Sequence, residues 1–96
     1  MSRLEELRQK REQILRLASR RGVHNVRVFG SVARGETTEF SDVDLLVDVD
    51  AGRSLLDLGG LLMELQELLQ CDVDLVPADS LKERLRERVD AEAIAL

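Results

Sequence analysis

VRVFGSVARGETTEFSDVDLLVDVD, residues 26–50, decides how the rest of the chain is read. An apolar run at 26–29 breaks at Gly30-Ser31, the chain passes Arg34-Gly35, and a second apolar run begins at residue 42. Read as a strand over 42–50, that second run turns Val43, Leu45, Val47 and Val49 to one face and Asp42, Asp44, Leu46, Asp48 and Asp50 to the other. The first face is core and the second is acidic. Aspartate is disfavoured in strands, so its repetition here points beyond a solvated surface.

Carboxylates two positions apart on an extended strand lie roughly 6–7 Å apart at Cα, close enough to converge on one hard cation. Mg²⁺ recruits one or two carboxylates and leaves its other positions to water and substrate phosphates. Asp42 and Asp44 fit that demand, while Asp48 and Asp50 are read as solvent-facing. Upstream, Gly30 lacks the Cβ that would obstruct a phosphate, Ser31 adds a hydroxyl donor, and a strand ending there presents free backbone N–H groups to an anion. A phosphate-friendly corner beside a carboxylate pair suggests a bound nucleoside triphosphate. Residues 31–35 read as one short turn of helix. Arg34 either anchors the following loop through a carboxylate or meets a phosphate with its planar fork of donors. Residues 36–40 read as a loop, with Phe40 as an apolar anchor.

Outward from this centre, Ser2 and Glu5 have capping-box spacing and Leu4, Leu7, Ile14, Leu15 and Ala18 recur with helical period, which predicts one amphipathic helix over 3–21. Its basic face reads as solvated. Gly22 ends that helix, and His24-Asn25 form a turn into the first strand at 26–29. Ser54 caps a helix running to about residue 70, with Leu58, Leu61, Leu62, Leu65, Leu68 and Leu69 as its apolar stripe. Gly59-Gly60 within it reads as close packing of helix on sheet. A third strand at 71–77 turns Val73 and Leu75 one way and Asp72, Asp74 and Val76 the other, so Asp72 or Asp74 has access to the acidic face. Ser80 and Glu83 predict the capped start of a last helix towards residue 94. The expected architecture is a two-layer α/β domain: a three-stranded mixed sheet, about four helices, and an acidic face left open for chemistry.

Ninety-six residues allow one modest core, so the expectation is a single domain over 1–96. At 44% hydrophobic and 34% charged the chain is too apolar for a disordered segment, and its apolar runs are too short to span a bilayer. No secretory signal pattern is evident, which makes the cytoplasm the expected location. The one cysteine, Cys71, excludes an intrachain disulfide and a thiolate metal cluster; it reads as a small, partly buried hydrophobe. The formal charge of −5 is unevenly spread: residues 1–35 carry nine Lys/Arg against three Asp/Glu, whereas residues 36–80 carry one against twelve. That asymmetry argues against a basic nucleic-acid clamp, so no direct nucleic-acid binding is expected.

Gly30-Ser31, Ala33-Arg34-Gly35 and Ser41-Asp42-Val43-Asp44-Leu45, followed by Val73-Asp74-Leu75-Val76, resemble the signature of the minimal nucleotidyltransferases, the small branch of the DNA polymerase beta-like superfamily. The resemblance spans residues 26–76. It implies the nucleotidyltransferase fold and transfer of a nucleoside monophosphate, AMP from ATP, to a hydroxyl with release of pyrophosphate. Asp42, Asp44 and Asp74 would hold two Mg²⁺ ions, the third aspartate choosing Asp74 over Asp72, and Gly30, Ser31 and Arg34 would position the nucleotide. The chain lacks an accessory domain to grip an acceptor, so the resemblance implies an acceptor supplied by a partner protein: a small helical toxin of the HEPN type, with this chain as its antitoxin. A homo- or hetero-oligomer is compatible with that reading. The alternative is a catalytically silent protein that neutralises its partner by binding alone.

Overall fold

The structure, a computed structural model, describes residues 2–36 and 42–96. The elements are α1 (Arg3–Gln9), α2 (Arg11–Arg20), β1 (Val23–Phe29), α3 (Gly30–Arg34), β2 (Val43–Val49), α4 (Leu55–Leu69), β3 (Val73–Pro77), a 3₁₀ turn (Ala78–Ser80), α5 (Glu83–Glu92) and β4 (Ile94–Ala95). One sheet takes the strands in the order β3-β2-β1-β4. β1 runs antiparallel to both β2 and β4, while β2 and β3 are parallel. Parallel neighbours need a crossover, and α4 supplies it.

Strand alternation sends Val43, Leu45 and Val47 of β2, with Val23 and Val28 of β1, into one fully buried layer. There they meet Leu61, Leu65 and Leu69 of α4 and Leu7, Ile14 and Ala18 of the first two helices. The leucines at intervals of four form the inner stripe of α4, whose start is closed by a capping box between Ser54 and Asp57. This is the expected helix-on-sheet layer, and the mixed α/β class holds.

Several details differ from the sequence expectation. The first helix is two: Lys10, at φ −97° and ψ 11°, separates α1 from α2. Its amide still donates to the carbonyls of Glu6 and Leu7, at 3.2 and 3.1 Å, and its ammonium reaches the Leu68 carbonyl at 3.0 Å. The bend lets Leu7 and Ile14, on either side of it, enter the same core. His24 and Asn25 belong to β1 rather than to a turn. Asn25 takes a left-handed φ of 51° where the β1–β2 register shifts, a bulge that lengthens the strand beyond its apolar part. Ser80 donates to the Pro77 carbonyl at 2.7 Å instead of capping a helix, and α5 begins at Glu83. The chain then leaves α5 to form β4, whose Ile94 and Ala95 pair with Val28 and Arg27, so the described residues form a four-stranded sheet with five α-helices. A Cβ on Gly60 would meet the Arg21 guanidinium at 2.5–2.7 Å, so that glycine accommodates a side chain from the end of α2 and not the sheet.

The largest correction concerns the acidic face. Leu46 on that face is fully buried and clusters with Ala78 and Val89, flanked by Phe29, Val76 and Leu81. α5 therefore covers the middle of the sheet, and among the described residues the exposed aspartates of that face, Asp42, Asp72 and Asp74, lie towards the β2 and β3 starts. Of the loop expected at 36–40, Glu36 alone is described, and the role expected of Phe40 lies outside the described residues. Among the described residues no helix is long and apolar enough to cross a membrane.

Candidate active site

Three strands contribute one row of residues. Phe29 at the end of β1 pairs with Asp44 of β2, and Asp44 pairs in parallel register with Asp74 of β3. Residues directly opposite in a ladder share a face, with strands roughly 4.8 Å apart, so Asp44 and Asp74 stand side by side on the face opposite the α4 layer. Asp42, two residues before Asp44 and just outside β2, is on the same side by alternation and is exposed, as is Asp74; Asp44 is half-buried. The three positions singled out from sequence thus lie together. Asp72 is also exposed, and its backbone carbonyl accepts the Val43 amide at 3.0 Å.

The electrostatics follow from this placement. Burial pushes the Asp44 carboxyl above the usual carboxylate range; the negative charges of Asp74 and Asp42 push it further the same way, and Arg34 partly offsets them. Two neighbouring carboxylates and partial desolvation make ionisation of Asp44 costlier than that of a free aspartate, a cost that an approaching cation would relieve. Among the described residues no three His, Cys, Asp or Glu side chains close on a common point. Mg²⁺ does not require such a cage, since it takes one or two protein carboxylates and completes its shell with water and phosphate oxygens. Carboxylate oxygens are the donors that such a hard cation takes, and Asp44 and its neighbours would supply them.

Gly30 follows Phe29 with φ +72°, and α3 starts there. A Cβ at this position would run into the Asp44 Oδ2. The glycine is required on two counts: the left-handed backbone, and the approach of a carboxylate to the main chain. Ser31 follows within α3, and Gly35, at φ 73°, closes that helix as its left-handed cap. The Gly30-Ser31 corner therefore adjoins Asp44 directly.

Arg34, left open between two roles, is held by two carboxylates. Its Nε lies 3.0 Å from Glu36 and its Nη1 2.5 Å from Glu92 at the end of α5. Hydrogen bonds to Glu92 and then Glu36 push the guanidinium pKa up, so it stays a cation beside the site.

The remaining acidic residues of the face are engaged elsewhere. Asp48 is half-buried rather than simply solvated: it accepts from Arg27 Nη2 at 2.8 Å and from Asn25 Nδ2 at 2.9 Å. Asp50 meets His24 Nδ1 at 2.9 Å. Cys71 is half-buried against the main core, and burial first of all pushes its thiol pKa up, so it behaves as a small hydrophobe.

The sequence reading expected the last helix but not its place over the acidic face. Besides Val89 on Leu46, the helix carries Asp90, 3.5 Å from Arg27 Nη1, and Glu92 on Arg34. The one signal was Leu46 itself: an apolar residue among aspartates needs a cover, but nothing local says which element supplies it.

Comparisons with known proteins bear on this geometry. The model of the nucleotidyltransferase domain matches residues 7–96. The protein adenylyltransferase MntA of Thermococcus cleftensis is 45% identical over 78 residues, covering 81% of this chain and 79% of the relative. MJ0435 of Methanocaldococcus jannaschii, named as a candidate protein adenylyltransferase, is 39% identical over 84 residues, 88% of this chain and 90% of its own length. A solved structure of a candidate minimal nucleotidyltransferase superposes with a TM-score of 0.88 at 53% identity, covering the whole chain and 97% of that structure. A toxin–antitoxin crystal structure with AMP-PNP shares the fold at a TM-score of 0.74 and 24% identity, over 88% of this chain and 69% of that one. With a family model spanning nearly the whole chain and relatives aligned over most of both lengths, this chain belongs to the nucleotidyltransferase domain family and is a nucleotidyltransferase.

Proposed function

We propose that the chain is one catalytic domain that transfers AMP from ATP to a hydroxyl of a partner protein, acting as the antitoxin of a toxin–antitoxin pair. The observation that carries this reading is the in-register pairing of Asp44 with Asp74 beside Gly30. The relative named protein adenylyltransferase MntA supports the reaction type. The fold shared with a toxin–antitoxin complex containing AMP-PNP supports the setting. A helical toxin of the HEPN type is the partner implied by the sequence resemblance.

In this reading Gly30 and Ser31 seat the phosphates, Gly30 by leaving its backbone bare and Ser31 by its hydroxyl. Arg34, cationic throughout, lies within reach of the triphosphate charge. Asp42, Asp44 and Asp74 would hold Mg²⁺, two ions in the usual scheme, which supplies charge stabilisation for the attacking and leaving oxygens. Asp74, the exposed member of the row, faces the incoming acceptor and receives its proton. The acceptor oxygen bonds to the α-phosphorus, the bond from that phosphorus to the bridging oxygen breaks, and pyrophosphate departs with the electron pair.

The test is incubation of the purified chain with α-labelled ATP, Mg²⁺ and the product of the adjacent gene, beside Asp42→Ala and Asp44→Ala. Label on the partner that disappears in both variants is the expected result. Neutralisation of the partner that persists in both variants without label transfer would instead establish a silent binding protein.

A further inference from the structure

Four large apolar side chains stand exposed among the described residues, and three of them are on α4: Leu55 and Leu56, each 84% exposed, and Met63 at 72%. At 100° per residue Leu56, Gly59 and Met63 fall on one stripe, roughly opposite the buried Leu61 and Leu65, with Leu55 at its edge. The described residues leave most of their surface to water, which is unusual for apolar side chains grouped on one face of a small domain.

Gly59 is the second observation. A glycine inside a helix lowers its stability by about 1 kcal/mol relative to alanine, and such a residue normally makes room for something. A Cβ on Gly59 meets nothing within 4 Å, and its φ is not left-handed. Among the described residues nothing requires a glycine there. A second helix crossing at Gly59 would require it, because interaxial distance is set by the side chains at the contact.

We propose that this face of α4 pairs with the same face of a second copy, antiparallel about a two-fold axis at Gly59. The stripe is self-complementary. Leu55 and Met63 lie about 6 Å to either side of Gly59 along the helix, so the two-fold sets the leucines of one copy against the methionine of the other. The charges agree. Arg53 precedes the helix, its side chain lying over Gly22 and partly exposed, with Nη1 at a loose 4.0 Å from Asp57, while Glu67 is exposed near the other end, where α4 has no basic residue in its last turn. Antiparallel pairing brings Arg53 and the positive helix start of one copy to Glu67 of the other, a favourable arrangement at both ends. Position selects a second copy over an acceptor protein. α4 packs on the sheet face opposite Asp44 and Asp74, so a molecule docked there cannot present a hydroxyl to the carboxylates, whereas two copies paired back to back leave both catalytic faces free.

The experiment is sedimentation equilibrium of the purified full chain over a wide dilution series. A monomer–dimer equilibrium is expected. Leu56→Glu with Met63→Glu should weaken it by at least roughly a hundredfold, because each change occurs twice across a two-fold interface. These positions are exposed, and circular dichroism should show an unchanged fold. Arg53→Glu and Glu67→Arg should each weaken the dimer, and the double exchange should restore it. Gly59→Ala should raise the unfolding midpoint of the diluted monomer yet weaken the dimer. A wild-type chain that stays monomeric, a dimer indifferent to the α4 substitutions, or a Gly59→Ala dimer as tight as wild type would each overturn the proposal.

Discussion

The carboxylate of Asp44 occupies the space that a side chain at residue 30 would need: a Cβ built on Gly30 runs into the Asp44 Oδ2, at a backbone φ of +72°. Gly30→Ala therefore adds a left-handed strain of roughly 1–2 kcal/mol to a steric conflict with the very group placed in the site. The expected outcome is a loss of about 1–3 kcal/mol in urea denaturation together with a large fall in nucleotidyl transfer. Gly35→Ala makes the contrast: it has a similar φ of 73° but nothing within 4 Å, so it should lose stability of the backbone part alone and keep most activity.

Asp44 couples activity and stability in opposite directions. Its carboxyl is pushed up by burial and then by Asp74 and Asp42, so the folded state favours the protonated form more than the unfolded state does. Stability from this group is therefore fully present below the unfolded carboxylate pKa and is lost as pH rises through the raised folded value. In the presence of a chelator at neutral pH, Asp44→Asn should raise the thermal midpoint, and the gain should shrink to nothing as pH falls below the carboxylate range. Transfer activity should fall by at least about a hundredfold, the scale for a group that stabilises charge in the transition state. Thermal scans at the two pH values check the first claim and label transfer the second; a lower midpoint at neutral pH would contradict the proposed charge crowding.

Arg27 ties three elements together. Its side chain, 17% exposed, bridges Asp48 of β2 at 2.8 Å and Asp90 of α5 at 3.5 Å. Removing the cation strands two partly exposed carboxylates and loosens the helix that covers Leu46. Arg27→Ala should cost about 1–2 kcal/mol, below the full value of charged hydrogen bonds because Asp48 and Asp90 are partly solvated. Hydrogen exchange should accelerate in α5 before it does so in β2. Uniform acceleration across the sheet would show that Arg27 supports the core instead.

The candidate row was legible in part because its signals are local. Alternation around Asp42–Asp50 fixed which residues share a face, whereas the pattern at Val73–Pro77 left Asp72 and Asp74 open; the family resemblance chose Asp74, which the register pairs with Asp44. The covering of that face was not legible. Residues 83–92 are strongly charged and mostly exposed, with Val89 as the one buried residue of α5. Its attachment depends on Arg27–Asp90 and Arg34–Glu92, pairs separated by more than 50 positions that leave no periodic trace. The bend at Lys10 and the two-residue β4 are likewise set by tertiary partners, Leu68 for the first and Val28 for the second. A helical period carries through a bend at one residue, and two residues cannot display alternation.

The contact between Arg34 and Glu92 is where a phosphate role for Arg34 can be tested. Arg34 meets Glu92 at 2.5 Å and Glu36 at 3.0 Å, so any phosphate that uses this guanidinium competes with carboxylates already on it. Glu92→Gln keeps the shape of the contact while removing the stronger competitor. If Arg34 serves the triphosphate, the KM for ATP should fall a few-fold with kcat little changed, because a ground-state competitor has been removed. Arg34→Ala should raise the same KM, and adding Glu92→Gln to it should change nothing further, since the two residues would act through one contact. If Arg34 is instead a strut between α3 and α5, Glu92→Gln should raise KM or lower stability, and the two substitutions should be equally damaging. Steady-state kinetics on the four proteins, with urea midpoints beside them, separates a phosphate ligand held in reserve from a purely structural tie.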